Sequence, residues 1–553
     1  MTARRSSWRR AITAGLSLAV AAGVVVAGAP AATAVPTVPT VPAGLTEFYG
    51  QQPAWTPCEP SGPLANLQCA ALTVPMNYRQ PGAERISVTI SKLPAKDPAK
   101  RRGVLLLNPG GPGGSGIGLP NFFADRPIAQ AYDLIGFDPR GVGRSTPLNC
   151  EAPPAIEGLS SRPDDAEFAL WTADARAGED GCERAAGGLR PFVNTPNTAR
   201  DMDVMRGVLG EKKINYLGFS YGTYLGAVFG SLFPKSLDRN VLDSAVSPDW
   251  IWREQFKQQA LAHRSNVDLL VGWLGERDGT YGLGKSAGEV FANSEALAAK
   301  LAVRPVTDPE YGEVDRTIYD VLLGSAARYR PLWDSAGEVI KRLSDAADGV
   351  IAPDSPEMVD AGKAARALYA LAVPSTISGV FQTVTCEADW PKDLQIYYSD
   401  MRLYRERYPY GGGISRAAPN GCTFRSFTPP DRVTDLKRGY PTGLVIQADG
   451  DTQTQYDGGP AMAAKLRDHL ISVPDDGTHG LYVSNTCVQA LVDRYLVDGV
   501  LPGTTTTCAG DPRPDVPPDS AGASASARGS NNSTLQERIA KFAKNKQLDK
   551  VTF

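Results

Sequence analysis

Short, continuous apolar runs punctuate the first half of the chain, at Gly103–Leu107, Tyr132–Phe137, Ile214–Leu217 and Asn240–Leu242. Runs of this length without polar alternation fit strands covered on both faces. Between 248 and 438 that signal stops. Apolar residues there recur with helical spacing, over Glu254–Leu274, Ser286–Leu301 and Ala361–Leu371. Strand-like runs resume at Leu444–Ile446 and His469–Val473. Strands that alternate with helical segments predict an α/β fold around a mostly parallel sheet, with helices on both faces. The simplest organisation is one sheet domain in two parts, 45–247 and 439–510, interrupted by a largely helical insertion at 248–438.

The ends of the chain have a different character. Arg4, Arg5, Arg9 and Arg10 precede an apolar run from Ala11 to Ala29, and Ala32-Thr33-Ala34 follows with small-x-small spacing. Residues 1–34 therefore read as a secretory signal peptide, and 35–44 (with VPTVPTVP) as a Pro-rich linker or propeptide. Residues 511–553 read as a disordered linker followed by a short basic helix. Ser533 or Thr534 is placed to cap that helix, and Leu535, Ile539 and Phe542 line one face. No stretch besides the leader is long and apolar enough to cross a membrane, so no stable insertion is expected once the leader is gone.

Charge and cysteine content sharpen this picture. The 553 residues carry 57 Lys+Arg against 60 Asp+Glu, without the basic surplus of a nucleic-acid binder. An exported chain with eight Cys predicts four disulfides, and the spacing favours the local pairs Cys58–Cys69, Cys150–Cys182, Cys386–Cys422 and Cys487–Cys508. No C-x-x-C pair occurs and His is scarce, which disfavours a zinc site, and no cofactor is expected.

The chemistry concentrates in three segments. Gly218-Phe219-Ser220-Tyr221-Gly222 joins a strand to a helical pattern over Thr223–Phe233. This is G-x-S-x-G in the context that exposes a nucleophilic hydroxyl on a sharp turn. An activated Ser needs a base, and the base needs an orienting acid. Of His263, His469 and His479, only His479 follows a late strand in a Gly-flanked loop. His263 falls in a helix and His469 at a strand start. For the acid, Asp449 and Asp451 compete, with Asp475 and Asp476 less well spaced. The third segment, Asn108–Gly116 (NPGGPGGSG), follows an early strand. Its glycines let backbone N–H groups approach a substrate oxygen, and it lacks the Gly-Lys-Ser/Thr ending of a phosphate cradle. Gly111 N–H and Tyr221 N–H are the expected oxyanion donors.

NPGGPGGSG (108–116), FDPRGVGRS (137–145), the run from Asn197 to Pro234 and the closing THG (478–480) together resemble secreted bacterial tripeptidyl aminopeptidases. These are α/β-hydrolases related to prolyl aminopeptidase, and the similarity spans roughly 45–510. It implies an α/β-hydrolase fold with a large helical cap insertion, Ser220 as nucleophile, His479 as base and Asp451 as acid. The segment IQADGDTQTQYDGG (446–459) is similar to the family's strand followed by D-x-x-T-P-Y, with Thr452 and Gln455 where the family usually carries Pro. Related aminopeptidases hold the substrate's free amine with acidic cap residues, which makes Glu387 and Asp389 candidates. The implied activity is secreted, extracellular removal of short peptides, tripeptides foremost, from free peptide or protein N-termini. A prolyl aminopeptidase or a carboxylesterase on the same machinery is the alternative, and a non-catalytic binding protein on this fold a more remote one.

Overall fold

A computed structural model describes residues 41–151, 159–371, 379–431, 434–521 and 533–546. The signal peptide read at 1–34 and the segment to residue 40 lie outside the described residues.

Among the described residues the strands are β1 (Thr56–Pro57), β2 (Gln68–Pro75), β3 (Arg85–Leu93), β4 (Val104–Asn108), β5 (Asp133–Asp138), β6 (Ile214–Phe219), β7 (Leu237–Asp243), β8 (Val306–Asp308), β9 (Gly312–Val314), β10 (Leu444–Ala448), β11 (His469–Val473) and β12 (Thr505–Thr507). One sheet has the order β1-β2-β3-β5-β4-β6-β7-β10-β11-β12. From β5 through β12 each neighbour is parallel. β1, β2 and β3 pair antiparallel at one edge.

The apolar runs of the sequence are the central strands, and their continuity follows from two covered faces. Leu106, Ile135 and Tyr216 face one core, which the helices Thr195–Val208 and Tyr221–Leu232 cover with Met202, Leu225 and Val228. The adjacent Leu105, Leu107, Leu134 and Leu217 point the other way. They pack against Ile128 and against Val488 and Val492 of the helix Thr486–Asp498. The antiparallel strand β2 shows half-buried alternation instead, with Leu72 opposite Val88 and Val74 opposite Ile86 of β3.

β7 and β10 are parallel neighbours, with Val241 opposite Leu444. The segment between them leaves and re-enters the sheet at adjacent positions, so it can grow into a separate layer without breaking the ladder. That layer is mainly helical. Its core is built by Leu270 and Leu274 (helix Arg253–Gly275), Leu322 and Leu323 (helix Arg316–Arg328), Trp333 and Val339 (helix Trp333–Ala347) and Leu368 (helix Pro356–Ala370). Two departures from expectation appear. β8 and β9 form a small antiparallel hairpin inside it. The helix expected from Ala361 starts at Pro356, because the Ser355 side chain accepts from Met358 N–H and Pro suits the first turn.

The cysteines pair as Cys58–Cys69, Cys150–Cys182, Cys386–Cys422 and Cys487–Cys508. The disorder expected from Asp511 does not hold over 511–521. Arg513 forks onto Asp475, Arg277 donates to the Val516 carbonyl, and Asp519 N–H donates to the Glu276 carbonyl. Polar ties hold this Pro-rich segment, and a composition argument that counts only apolar burial misses them. Residues 522–532 lie outside the described residues. The tail helix runs Leu535–Asn545 with a Thr534/Glu537 capping box, buries Leu535 and Ile539, and pairs Arg538 with Asp334 and Glu338.

Candidate active site

The carboxyl ends of β4, β6, β7, β10 and β11 carry the polar groups of the site, as the topology of an open parallel sheet favours. Ser220 follows β6 and opens the helix Tyr221–Leu232. Its φ of +56° is rare for a side-chain-bearing residue and is held by the surroundings. Ser220 N–H donates to the Asp243 carbonyl, and Thr223 caps the Ser220 carbonyl with both its N–H and Oγ1. The turn needs glycine at both flanks. A Cβ on Gly218 would lie 2.6 Å from the Gly222 carbonyl oxygen, and one on Gly222 would lie 2.7 Å from Asn108 Oδ1.

His479 sits in the loop after β11, with Nδ1 2.7 Å from Asp451 Oδ2. Asp451, in the loop after β10, is fully buried. Its Oδ1 accepts from Gln453 N–H and Thr454 N–H, and its Oδ2 also accepts from Thr454 Oγ1. Burial pushes this carboxyl up, but His479, Arg328 and the Gln453 N–H outweigh it and hold it below the usual carboxylate range. The competing acids have other partners. Asp449 accepts from Asp475 N–H and Asp476 N–H, and Asp476 accepts from Thr478 N–H and Asp511 N–H. His263 lies against the Gly324 carbonyl in the insertion, and burial pushes it down to about 3. His469 lies against the Pro502 carbonyl at the start of β11.

The glycine loop after β4 lies directly on the serine turn. A Cβ on Gly110 would meet Phe219 O at 2.4 Å and Ser220 Cβ at 2.9 Å. Gly111 adopts φ +108° and Gly114 N–H closes the loop on Gly110 O. Gly110, which the motif alone does not single out, is the residue in contact with the turn. Tyr221 N–H belongs to the first turn of the helix, whose dipole favours negative charge there. Beside this loop a cleft of about 730 Å³ is lined in part by Pro109, Ser115, Arg126 and Tyr482.

Asp243, at the end of β7, is the functional neighbour that motif reading missed. Its carboxylate accepts from Leu481 N–H and Tyr482 N–H, and Ser244 Oγ accepts from Gly480 N–H, so β7 fixes the backbone that follows His479. Burial raises this carboxyl to about 6 against those donors and His479. The available signal was its place at the carboxyl end of an apolar run, opposite Phe219, the residue before Ser220.

The insertion grips the acid loop. Gln255 donates to Gln455 Oε1 and the Gln453 carbonyl, and Gln259 donates to that same carbonyl. Gln455, where the family usually carries Pro, thus gains a bond to the insertion. Glu387 and Asp389 part company. Glu387 is buried and accepts from Thr195 N–H, Thr195 Oγ1 and Trp252 Nε1. Thr195 Oγ1 in turn bonds the Tyr221 hydroxyl. Asp389 is fully exposed, with Arg425 at 3.9 Å. Among the described residues no group of three or more His, Cys, Asp or Glu is arranged to hold a metal ion.

A family model described as the alpha/beta hydrolase fold matches residues 103–486. The chain belongs to the alpha/beta hydrolase family. It is 33% identical over 485 residues to a tripeptidyl aminopeptidase of Streptomyces lividans, covering 83% of this chain and 87% of that protein. It is 27% identical over 509 residues to the serine protease Hip1 of Mycobacterium tuberculosis, covering 83% and 91%. A carboxylesterase B of the same species is 28% identical over 499 residues, covering 83% and 90%. Within the alpha/beta hydrolases, the aminopeptidase and serine protease relatives make the chain a serine hydrolase of the peptidase kind.

Proposed function

We propose that the protein is a secreted serine exopeptidase that removes short peptides, tripeptides foremost, from free N-termini through Ser220, His479 and Asp451. The observation that carries this reading is the 2.7 Å His479–Asp451 contact, on loops after adjacent strands of the sheet whose β6 ends at a serine held at positive φ. Asp451 fixes the tautomer with the proton on Nδ1, which leaves Nε2 to act as base. Ser220 Oγ attacks the scissile carbonyl carbon and its proton passes to His479 Nε2. The carbonyl oxygen becomes an oxyanion stabilised by the N–H groups of Tyr221 and Gly111. The intermediate collapses, the C–N bond breaks, and His479 returns the proton to the leaving amine. Water, deprotonated by His479, then hydrolyses the acyl-enzyme.

We assign 45–247 and 439–510 as the catalytic body and 248–438 as a cap that restricts entry to chain ends. Glu387 is the acid we place on the amine side of the site. It lies one Thr195 bridge from Tyr221, and burial raises it to about 7, so an arriving ammonium would favour its charged form. The leader and the four disulfides support export, because such bonds persist in oxidising compartments.

The test compares a free-amine tripeptide p-nitroanilide, its N-acetylated form, a proline p-nitroanilide and a short acyl ester. Preference for the free tripeptide, with turnover abolished and the fold kept in Ser220→Ala, is the expected result. Preference for the blocked peptide or the ester would overturn the exopeptidase reading and favour the esterase suggested by the carboxylesterase relative.

A further inference from the structure

Arg328 ends the helix Arg316–Arg328 of the insertion, yet its guanidinium lies among the catalytic loops. It is buried, and its Nε donates to the Gly477 carbonyl, two residues before His479. Its Nη2 is 3.9 Å from Asp451 Oδ1 and has no hydrogen-bond partner among the described residues. The backbone fit is equally close, since a Cβ on Gly477 would lie 1.9 Å from the Arg328 carbonyl oxygen. Two residues on, Arg330 bonds Asp475 and Asn266, and Asn266 donates to the Gly450 carbonyl, next to Asp451. The insertion thus meets both loops that carry the base and its acid.

The guanidinium lies over the Tyr329 ring at 4.6 Å and gives Nε to a backbone carbonyl, and neither contact explains its place beside the acid. An apolar residue would fill the same space without the cost of desolvating a charge. Its position beside the acid gives the charge a use. We propose that Arg328 is a positioning residue of the insertion: it stabilises the ionised Asp451 from the side opposite His479 and fixes the Gly477–His479 backbone, so that the acid–base pair is complete only with the insertion seated. This rests on the Ser220–His479–Asp451 reading above.

The other charged and titratable groups around the pair do not duplicate it. Asp243 lies on the β7 side and is committed to backbone N–H groups. His263 is held neutral by burial and lies against the Gly324 carbonyl. Asp476 is committed to loop N–H groups, while Arg330 is paired with Asp475, which also takes Arg513. Arg328 is therefore the cation that faces Asp451.

The test is the pH profile of kcat/KM for Arg328→Gln and Arg328→Lys, with active sites counted by fluorophosphonate labelling of Ser220. Gln offers a donor to Gly477 but removes the charge. Losing a cation beside the pair lets it keep its proton to higher pH. The acid limb in R328Q is expected to move up by about 1 pH unit, the lower end of what a close charge does. Its kcat is expected to fall about 10- to 100-fold, with KM changed less than about threefold, because the loss acts on proton transfer rather than on binding. R328K, keeping the charge, should retain the wild-type limb within about 0.3 unit and lose less than about tenfold in kcat. A wild-type limb in R328Q, or a limb in R328K displaced by about 1 unit, would overturn the proposal. If R328Q does not fold, the R328K limb decides alone. Absence of labelling at Ser220 in the wild-type enzyme would instead defeat the triad reading, independently of Arg328.

Discussion

Replacing Gly110 with alanine isolates the contact between the glycine loop and the serine turn. The new methyl would sit 2.4 Å from Phe219 O and 2.9 Å from Ser220 Cβ. Both belong to a turn already fixed by Asp243 and Thr223, so the loop is the part that must yield. Side-chain carbons in proteins essentially never approach closer than 3.0 Å, so the loop must retreat by at least about 0.6 Å. That displacement withdraws the adjacent Gly111 N–H from the carbonyl oxygen it should polarise. Loss of one oxyanion donor costs roughly 100- to 1,000-fold in kcat, and a misplacement of about 1 Å costs about 100-fold. The expected result is a kcat reduced about 100- to 1,000-fold with KM changed less than about threefold, because the donor acts mainly in the transition state. The positive φ of +96° adds strain of about 1–2 kcal/mol whatever the space. Gly210→Ala supplies the control, since Gly210 has φ +73° and nothing within 4 Å of its Cβ. It should lose similar stability and no activity. The assay is steady-state turnover of a tripeptide p-nitroanilide, normalised to titrated active sites and paired with thermal melts. A folded Gly110→Ala enzyme with kcat within about threefold of wild type would refute the assignment of this loop to the oxyanion site.

Two further outcomes follow from the same geometry. Asp451→Asn should keep the fold but present His479 with the wrong partner for the required tautomer, lowering kcat by about 10⁴-fold. Asp449→Asn, which touches only loop N–H groups, should lose far less, and a reversed ranking in site-normalised kcat would reassign the acid. Glu387 is pushed from 4.5 up to about 7 by burial, so the folded state favours its protonated form, and stability present below pH 4.5 is lost as pH rises through about 7. The contribution is on the order of 3 kcal/mol, to be read from urea unfolding at pH 5 and pH 8. Glu387→Gln should flatten that part of the slope, and an unchanged slope would show that Glu387 is not the group responsible.

The proposed nucleophile and base carry signals that are local in the sequence. A strand, a Gly-flanked Ser and a helix follow one another directly, and His479 is the one histidine in a Gly-flanked loop after a late strand. The central strands were legible because burial on both faces leaves uninterrupted apolar runs. The antiparallel strands escaped notice, β2 because exposed positions interrupt its apolar residues and β3 because the buried polar Thr89 and Ser91 do the same. Arg328 carried no signal at all. An arginine at the end of a helix is ordinary, and only the packing of that helix on Gly477 makes it unusual.

The sequence by itself determined the α/β alternation, the local cysteine pairs and the order Ser, Asp, His, because each is written in residues close along the chain or in a family pattern. Only the tertiary structure put Asp451, which the resemblance favoured, against His479, separated buried Glu387 from exposed Asp389, and brought Gly110, Asp243 and Arg328 to the site. Those outcomes depend on which groups share a buried, low-dielectric volume after residues far apart in sequence have met. Distance and desolvation set their chemistry, and neither quantity exists until the chain has folded.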